Sequence, residues 1–370
     1  MKIAFDAKRA FANRTGLGNY SRDVIRNLSL NRALELYLFT PVGHTSLMDA
    51  SPYRVIVPQS PMDKAFRAYW RSFSQAKEVI NLGIDLYHGL SNEIPWGLGN
   101  SCKKVVTIHD LIFKRYPQWY PLFDRKMYDW KCKRACLEAD TIIAISAQTK
   151  ADITHFYHVN PDKIEVVYQT CNDIFKTDCS ATFKQAVRKR YHLPQRFILN
   201  VGTIEPRKNA FEVVKAVHEY GIETPLVIVG RATPYTARIT EYVKQHRLEK
   251  RVFLWHHVST KELAAFYQMA SLFIYPSTFE GFGIPIIEAL YSGVPVITTQ
   301  GGCFSEPGGA ASLYLEEITS KHIAEAINLI LSNDTVAQEM IDKGRQHVQK
   351  FNAEVLTEQL ISVYTQTLAQ

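Results

Sequence analysis

Residues 272–299 read LFIYPSTFEGFGIPIIEALYSGVPVITT, and this stretch decides the fold class. LFIYPS (272–277) is a short apolar run of strand length. Pro285 suits the first turn of a helix, where its missing N–H costs nothing. PVITT (295–299) is a second strand. Neither run alternates apolar with polar residues, so each is buried on both faces. Strand, helix and strand in this order predict a parallel sheet with helices on its faces.

The same alternation runs outward in both directions. Before it stand IAFDA (3–7), LYLFT (36–40), YRVIV (53–57), DLYHG (85–89), KVVTI (104–108) and TIIAIS (141–146). Then follow FILNVG (197–202), PLVIVG (225–230) and RVFL (251–254). Helical periodicity fills the intervals at GNYSRDVIRNL (18–28), PRKNAFEVVKAVHEY (206–220) and STKELAAFYQMA (259–270). The series pauses over 170–195, a polar, basic and strand-poor stretch that reads as a linker. A last helix is predicted over 353–368, with Val355, Leu356, Leu360, Ile361, Val363 and Tyr364 as its apolar residues. The fold class is therefore α/β, with two Rossmann-like doubly wound domains. Ligands of such sheets bind beyond the carboxyl ends of strands, so two facing domains would enclose a cleft.

The 370 residues suit two domains, and 46% hydrophobic with 21% charged residues excludes a disordered chain. No apolar run reaches the ~18 residues of a membrane span. The N-terminus, MKIAFDAKRAFANRT, lacks the apolar core of a signal peptide. The expectation is a cytoplasmic protein. The six cysteines form no CxxC pair and read as reduced thiols. Residues 1–200 carry 29 Lys and Arg against 18 Asp and Glu, whereas residues 201–370 carry 14 against 18. The basic first half either faces something anionic or is a plain solvated surface.

Four motifs follow strands. Thr15-Gly16-Leu17-Gly18-Asn19-Tyr20 leads into a helix, and two glycines let backbone approach a ligand. His109-Asp110-Leu111 ends a buried strand, where the pair could orient a substrate or simply close a turn. Gly202-Thr203-Ile204-Glu205-Pro206-Arg207-Lys208-Asn209 is read as the start of a helix. Adjacent cations there call for a compensating anion such as a diphosphate. In Phe279-Glu280-Gly281-Phe282-Gly283-Ile284-Pro285-Ile286-Ile287-Glu288, the glycines leave amides open to a ligand. Glu280 and Glu288 could grip different hydroxyls of that ligand.

Together GLGNY (16–20), HDL (109–111), GTIEPRKN (202–209) and FEGFGIPIIEAL (279–290) resemble glycosyltransferase family 4 over nearly the whole chain. The resemblance implies the GT-B fold and retaining transfer of a hexose from a nucleotide-diphosphate sugar to a glycan or lipid-linked acceptor. It implies an N-terminal acceptor domain over 1–180, a nucleotide-sugar domain over 181–352, and a helix over 353–370 returning to the first domain. Arg207 and Lys208 would bind the diphosphate, Glu280 the donor sugar, and Glu288 the ribose. Glu205 belongs to the same motif and joins the donor set. The amides of Gly281, Phe282 and Gly283 would lie beside the sugar, and the backbone at Gly16 and Gly18 would meet the diphosphate. His109 would contact the transferred sugar and Asp110 would lie toward the acceptor. The base would sit near Arg231 and His257-Val258-Ser259. HDLIFKRYP (109–117) is similar to mannosyltransferases of surface-polysaccharide assembly, which favours GDP-mannose over UDP-glucose. Two departures from the family pattern are Pro307, within Cys303–Gly309, and Trp255-His256-His257 before the base pocket.

No Asp-x-Asp is present to hold a divalent cation against a diphosphate, so neither a metal nor another cofactor is expected. Residues 63–73, DKAFRAYWRSF, mix cations and aromatics at helical spacing and read either as core or as a face toward an anionic membrane. Nucleic acid is not an expected partner, because no recognition module accompanies the basic charge. The competing readings are a nucleic-acid-binding protein and a GT-B enzyme of other chemistry, an epimerase or a phosphorylase.

Overall fold

The computed structural model describes residues 1–43 and 45–370. It contains two compact units, Met1–Thr170 with Phe351–Gln370, and Cys171–Lys350.

The first unit is built on a seven-stranded parallel sheet. Its strands are β1 (Lys2–Asp6), β2 (Glu35–Phe39), β3 (Arg54–Ile56), β4 (Leu86–Gly89), β5 (Lys103–Ile108), β6 (Thr141–Ala144) and β7 (Ile164–Val166). Their order is β3-β2-β1-β4-β5-β6-β7. Ile3 is registered against Leu36 on one side and Leu86 on the other. The chain therefore winds outward from β1 and returns to β4, which makes the carboxyl ends of β1 and β4 a topological switch point. The central strands are buried on both faces, as their continuous apolar runs require.

The second unit has six parallel strands, β8 (Ile198–Val201), β9 (Leu226–Val229), β10 (Val252–Trp255), β11 (Leu272–Tyr275), β12 (Val296–Thr299) and β13 (Ser312–Leu315). The order β10-β9-β8-β11-β12-β13 puts its switch point at the ends of β8 and β11. β7 and β13 are the strands that the sequence reading lacks. Both are edge strands, short and only partly buried, so neither carries a continuous apolar run.

Residues 170–195 contain no strand, as expected, but from Cys171 on they pack as part of the second unit and are not a free linker. Phe175 is buried edge-on against Tyr267, with ring centroids 5.6 Å apart. The helix Ala181–Arg190 ties to the second unit through Arg190–Glu262 at 2.7 Å, and the next residue donates through Tyr191 OH to Glu262 at 3.0 Å. The polar composition of this stretch serves packing at the surface of the second unit. Its boundary falls at 170/171, not at 180/181.

The final helix spans Ala353–Ala369 and buries Leu356, Leu360, Val363 and Tyr364 in the first unit, while Val355 stays exposed. Its Thr367 meets Thr141 of β6, Oγ1 to Oγ1, at 2.8 Å. No helix among the described residues is long and apolar enough to cross a membrane.

Candidate functional site

In the second unit, the segments after β8 and β11 bring Arg207, Lys208 and Glu280 together at the switch point. Glu280 Oε1 accepts from Arg207 Nη1 at 3.0 Å, from Ser277 Oγ at 2.5 Å and from Lys208 Nζ. Lys208 Nζ also donates to Tyr275 OH at 2.6 Å, and Arg207 Nη2 pairs with Glu205 at 2.8 Å. Burial opposes the charge on Glu280, yet Lys208 and Arg207 more than offset it and hold the carboxyl at about 2. Burial likewise pushes Lys208 down, while Glu280 pulls it back up. Arg207 is also disfavoured by burial, but Glu280 and Glu205 carry it above its ordinary value. Glu280 and Arg207 are therefore charged at neutral pH.

Two sequence expectations change here. Arg207 and Lys208 lie on a 3-10 turn, Pro206–Lys208, and the α-helix begins only at Ala210. Asn209 separates the two in the left-handed conformation and ties the turn to β11's exit, donating to Pro276 O at 2.8 Å and Thr278 Oγ1 at 3.0 Å. The anions that compensate the cations are Glu280 and Glu205, so their pairing alone does not demand a phosphate.

Glu288 shares the motif and has the opposite environment. It sits inside the helix Ile284–Tyr291, and its Oε2 accepts one bond, from Tyr267 OH, at 3.0 Å. Burial raises its carboxyl to about 7, with Tyr267 opposing. Gly283 caps this helix at φ 110°, a region that favours glycine. Cys303 Sγ lies 3.0 Å from Phe282 O and 3.3 Å from Glu280 O, so Cys303–Gly309 braces the turn through Gly281 and Phe282. Pro307 is buried beside Gly283. Arg231 follows β9 and Val258 follows β10, so both stand at carboxyl ends of the same sheet. Trp255 ends β10 with its ring edge-on to Tyr191 at 5.1 Å.

In the first unit, Gly16 and Gly18 form the opening turn of the helix Gly16–Ser29. A Cβ on Gly18 would lie 1.9 Å from Asn13 O, so glycine is required there by the chain's own backbone. Nothing lies within 4 Å of a Cβ at Gly16, whose surroundings are open. His109 follows β5 and is buried. Its Nε2 is 2.8 Å from Leu90 O and its Nδ1 is 3.2 Å from the Gln169 amide nitrogen. A carbonyl can only accept, so Nε2 carries the proton and Nδ1 accepts. Burial lowers its pKa to about 4, and the ring is neutral at physiological pH. Asp110 Oδ1 accepts from Ile112 N at 3.1 Å and supports the turn after it.

The stretch 63–73 divides between the two readings. Trp70 is wholly buried and Arg71 nearly so, whereas Phe66, Tyr69 and Phe73 are exposed. A π-helical turn at Trp70–Ser74 interrupts the α-helical spacing.

Tyr275, Ser277 and Tyr267 escaped the sequence reading. Tyr275 and Ser277 stand at the exit of β11, so asking which polar residues end a strand would have found them. Tyr267 lies on another helix, Thr260–Met269, and carries no local signal.

A family model described as Glycosyl transferases group 1 matches residues 183–347. A second, Glycosyltransferase Family 4, matches residues 14–172. O-antigen chain mannosyltransferase B of Escherichia coli is 26% identical over 383 aligned positions, covering 98% of this chain and 99% of the relative. O-antigen chain mannosyltransferase RfbU of Salmonella typhimurium is 30% identical over 261 positions, covering 68% of this chain and 69% of its own. Anabaena Alr3699/HepE, solved in complex with UDP-glucose, superposes with a TM-score of 0.78 at 16% identity, over 99% of this chain and all of the other. Two parallel-sheet domains, the charged cluster at a switch point and these matches give one conclusion: the chain belongs to the group 1, family 4 glycosyltransferases and has the GT-B fold.

Proposed function

We propose that the protein is a retaining mannosyltransferase that moves mannose from GDP-mannose to a glycan or lipid-linked acceptor in polysaccharide assembly. The observation that carries the donor class is the Arg207–Lys208–Glu280 cluster at the second switch point. The names of the two O-antigen relatives narrow the sugar to mannose.

In this reading the donor diphosphate meets Arg207 and Lys208, which need no metal to balance it. Glu280 turns its charge to hydroxyls of the sugar, beside the amides of Gly281, Phe282 and Gly283. Glu288 accepts from the ribose, and the base lies near Arg231 and Val258. The bond from C1 to the phosphate oxygen breaks, and the bond from C1 to the acceptor oxygen forms on the same face. The acceptor proton passes to the leaving phosphate. Charge grows on that phosphate as the bond breaks, so the two cations bind the transition state better than the ground state. His109 contributes as an oriented neutral ring: a sugar hydroxyl replacing the Gln169 amide would meet the lone pair on Nδ1. Asp110 is assigned to the acceptor side.

The first unit's basic surface is assigned to an anionic membrane, where lipid-linked acceptors reside. Exposed Met62, Phe66, Leu122 and Phe123, 57–76% accessible, support this reading. Sedimentation with neutral and anionic vesicles tests it; equal binding to both, or to neither, contradicts it.

The function is tested by turnover assays with GDP-mannose, UDP-glucose and ADP-glucose, with the product anomer read by NMR. Preferred use of GDP-mannose with retention is expected. An inverted product, or turnover of none of the three, contradicts the proposal.

A further inference from the structure

The switch point of the first unit holds a cavity that the donor site does not use. Asp6 at the end of β1 and Glu93 beyond β4 both bind Arg71: Arg71 Nε lies 3.0 Å from Asp6 Oδ2, and Nη1 lies 2.6 Å from Glu93 Oε2. Lys131 reaches Glu93 at 3.4 Å, so charge within the cavity is balanced by near neighbours. The outer wall is aromatic. Trp96 and Trp130 have centroids 5.6 Å apart, Trp130 is 55% exposed, and Arg134 lies over Trp96 at 4.0 Å.

Two buried polar atoms of the cavity's lining residues are orphaned. Among the described residues, neither Gln75 Oε1 nor Tyr87 OH has a hydrogen-bond partner. Both side chains line the cavity and are 1% and 0% exposed. Burying such groups unpaired is costly, and the cost is relieved when a ligand supplies the missing bonds. The π-helical turn Trp70–Ser74 presents Arg71 and Phe73 to this cavity, an irregularity that recurs at functional sites.

A charge-balanced pocket with an unpaired carbonyl, an unpaired hydroxyl and a carboxylate beneath an indole wall suits one chemistry. That chemistry is an uncharged ring with hydroxyls at its edge and C–H groups on its face. We infer that this cavity is a saccharide subsite, holding one neutral pyranose residue of the acceptor between Gln75, Tyr87 and Glu93 on one side and Trp96 and Trp130 on the other. The inference rests on the glycosyltransferase reading for the word acceptor, while the pocket's chemistry stands alone. The loop Leu90–Trp96 also joins the subsite to His109, whose Nε2 donates to Leu90 O and whose backbone N–H donates to Asn92 Oδ1 at 3.1 Å.

The test is titration of the full chain with methyl α-mannoside, methyl α-glucoside, methyl α-galactoside and an α-linked mannotriose. Binding is read by tryptophan fluorescence and saturation-transfer NMR, and GDP and UDP are titrated in parallel. At least one saccharide is expected to saturate. Tyr87→Phe removes only an unpartnered hydroxyl, so it should fold as well as the parent, keep its nucleotide affinity and lose about tenfold in saccharide affinity. Trp96→Ala should abolish the response. Nucleotide binding without any saturable saccharide response would overturn the subsite and leave the family reading intact. Unchanged saccharide affinity in Tyr87→Phe would also overturn it. Saccharide binding without nucleotide binding would uphold the subsite and count against the donor assignment.

Discussion

Each unit has an arginine bound to carboxylates at its switch point, and the two differ in how far they are closed. Arg71 and Asp6 are 8% and 3% exposed at their side chains, so their pair is sealed. Arg207 and Glu205 are 24% and 31% exposed, and Glu280 is 14% exposed. A sealed pair fixes its own segments in place and leaves recognition to its neighbours Gln75, Tyr87 and Glu93. An open pair can exchange a protein carboxylate for a ligand phosphate. In the proposed function, the same residue types at the switch points of two similar sheets thus serve as scaffold in one and in charge exchange in the other. Solvent access makes the difference.

The sharpest way to break this comparison is to remove each arginine. Arg71→Ala strands Asp6 in the interior, while Glu93 keeps Lys131, and should cost about 3–5 kcal/mol of stability, measured by denaturant unfolding. Arg207→Ala leaves Lys208 on Glu280 and should spare most of the stability. It should instead lower turnover about 100-fold, with a smaller change in KM. If the two variants exchanged phenotypes, the distinction between sealed and open pairs would fail.

The two glutamates of the second unit sharpen it further. Glu280 is held at about 2 against an ordinary 4.5, so its contribution is present above pH 4.5 and is lost as pH falls toward 2. Glu288 is raised to about 7, so its contribution is full below pH 4.5 and is lost as pH rises to 7. Glu288→Gln should therefore flatten the fall of Tm between pH 4.5 and 7, while Glu280→Gln should flatten the fall below 4.5. Since the proposed ribose contact needs the carboxylate as an acceptor, donor affinity should also rise with pH toward 7 in the parent and lose that rise in Glu288→Gln.

The smallest expected effect is that of Tyr267→Phe. Losing one hydrogen bond should cost about 1 kcal/mol and raise the Glu288 pKa further, seen as an upfield-to-downfield titration shift in 13C NMR. An unmoved midpoint would show that Tyr267 does not act on this carboxyl.

Much of this was legible in the sequence because parallel strands buried on both faces announce themselves as apolar runs. β11 and β12 are such strands, and the βαβ unit they form carried the fold class. β7 and β13 were not legible, since edge strands are half wet and break the run. The dibasic turn and the Glu280–Glu288 spacing were readable as local motifs. The partner of each was not: Glu205 and Glu280 reach Arg207 from opposite directions in the chain, and Tyr267 reaches Glu288 across two helices. Gly18 shows the limit of motif reading, because Asn13's carbonyl alone accounts for it. The cavity at Gln75 and Tyr87 has no sequence signature, since an orphaned atom is a property of packing.

In the proposed function, Arg207 and Lys208 trade their protein carboxylates for a donor diphosphate without a metal. Calorimetric titration of GDP and UDP into the parent, Arg207→Ala and Lys208→Ala, each with and without chelator, tests it most directly. One nucleotide is expected to bind the parent with the same affinity in chelator and to bind both variants far more weakly. Affinity that collapses in chelator, or that survives loss of either cation, would contradict it.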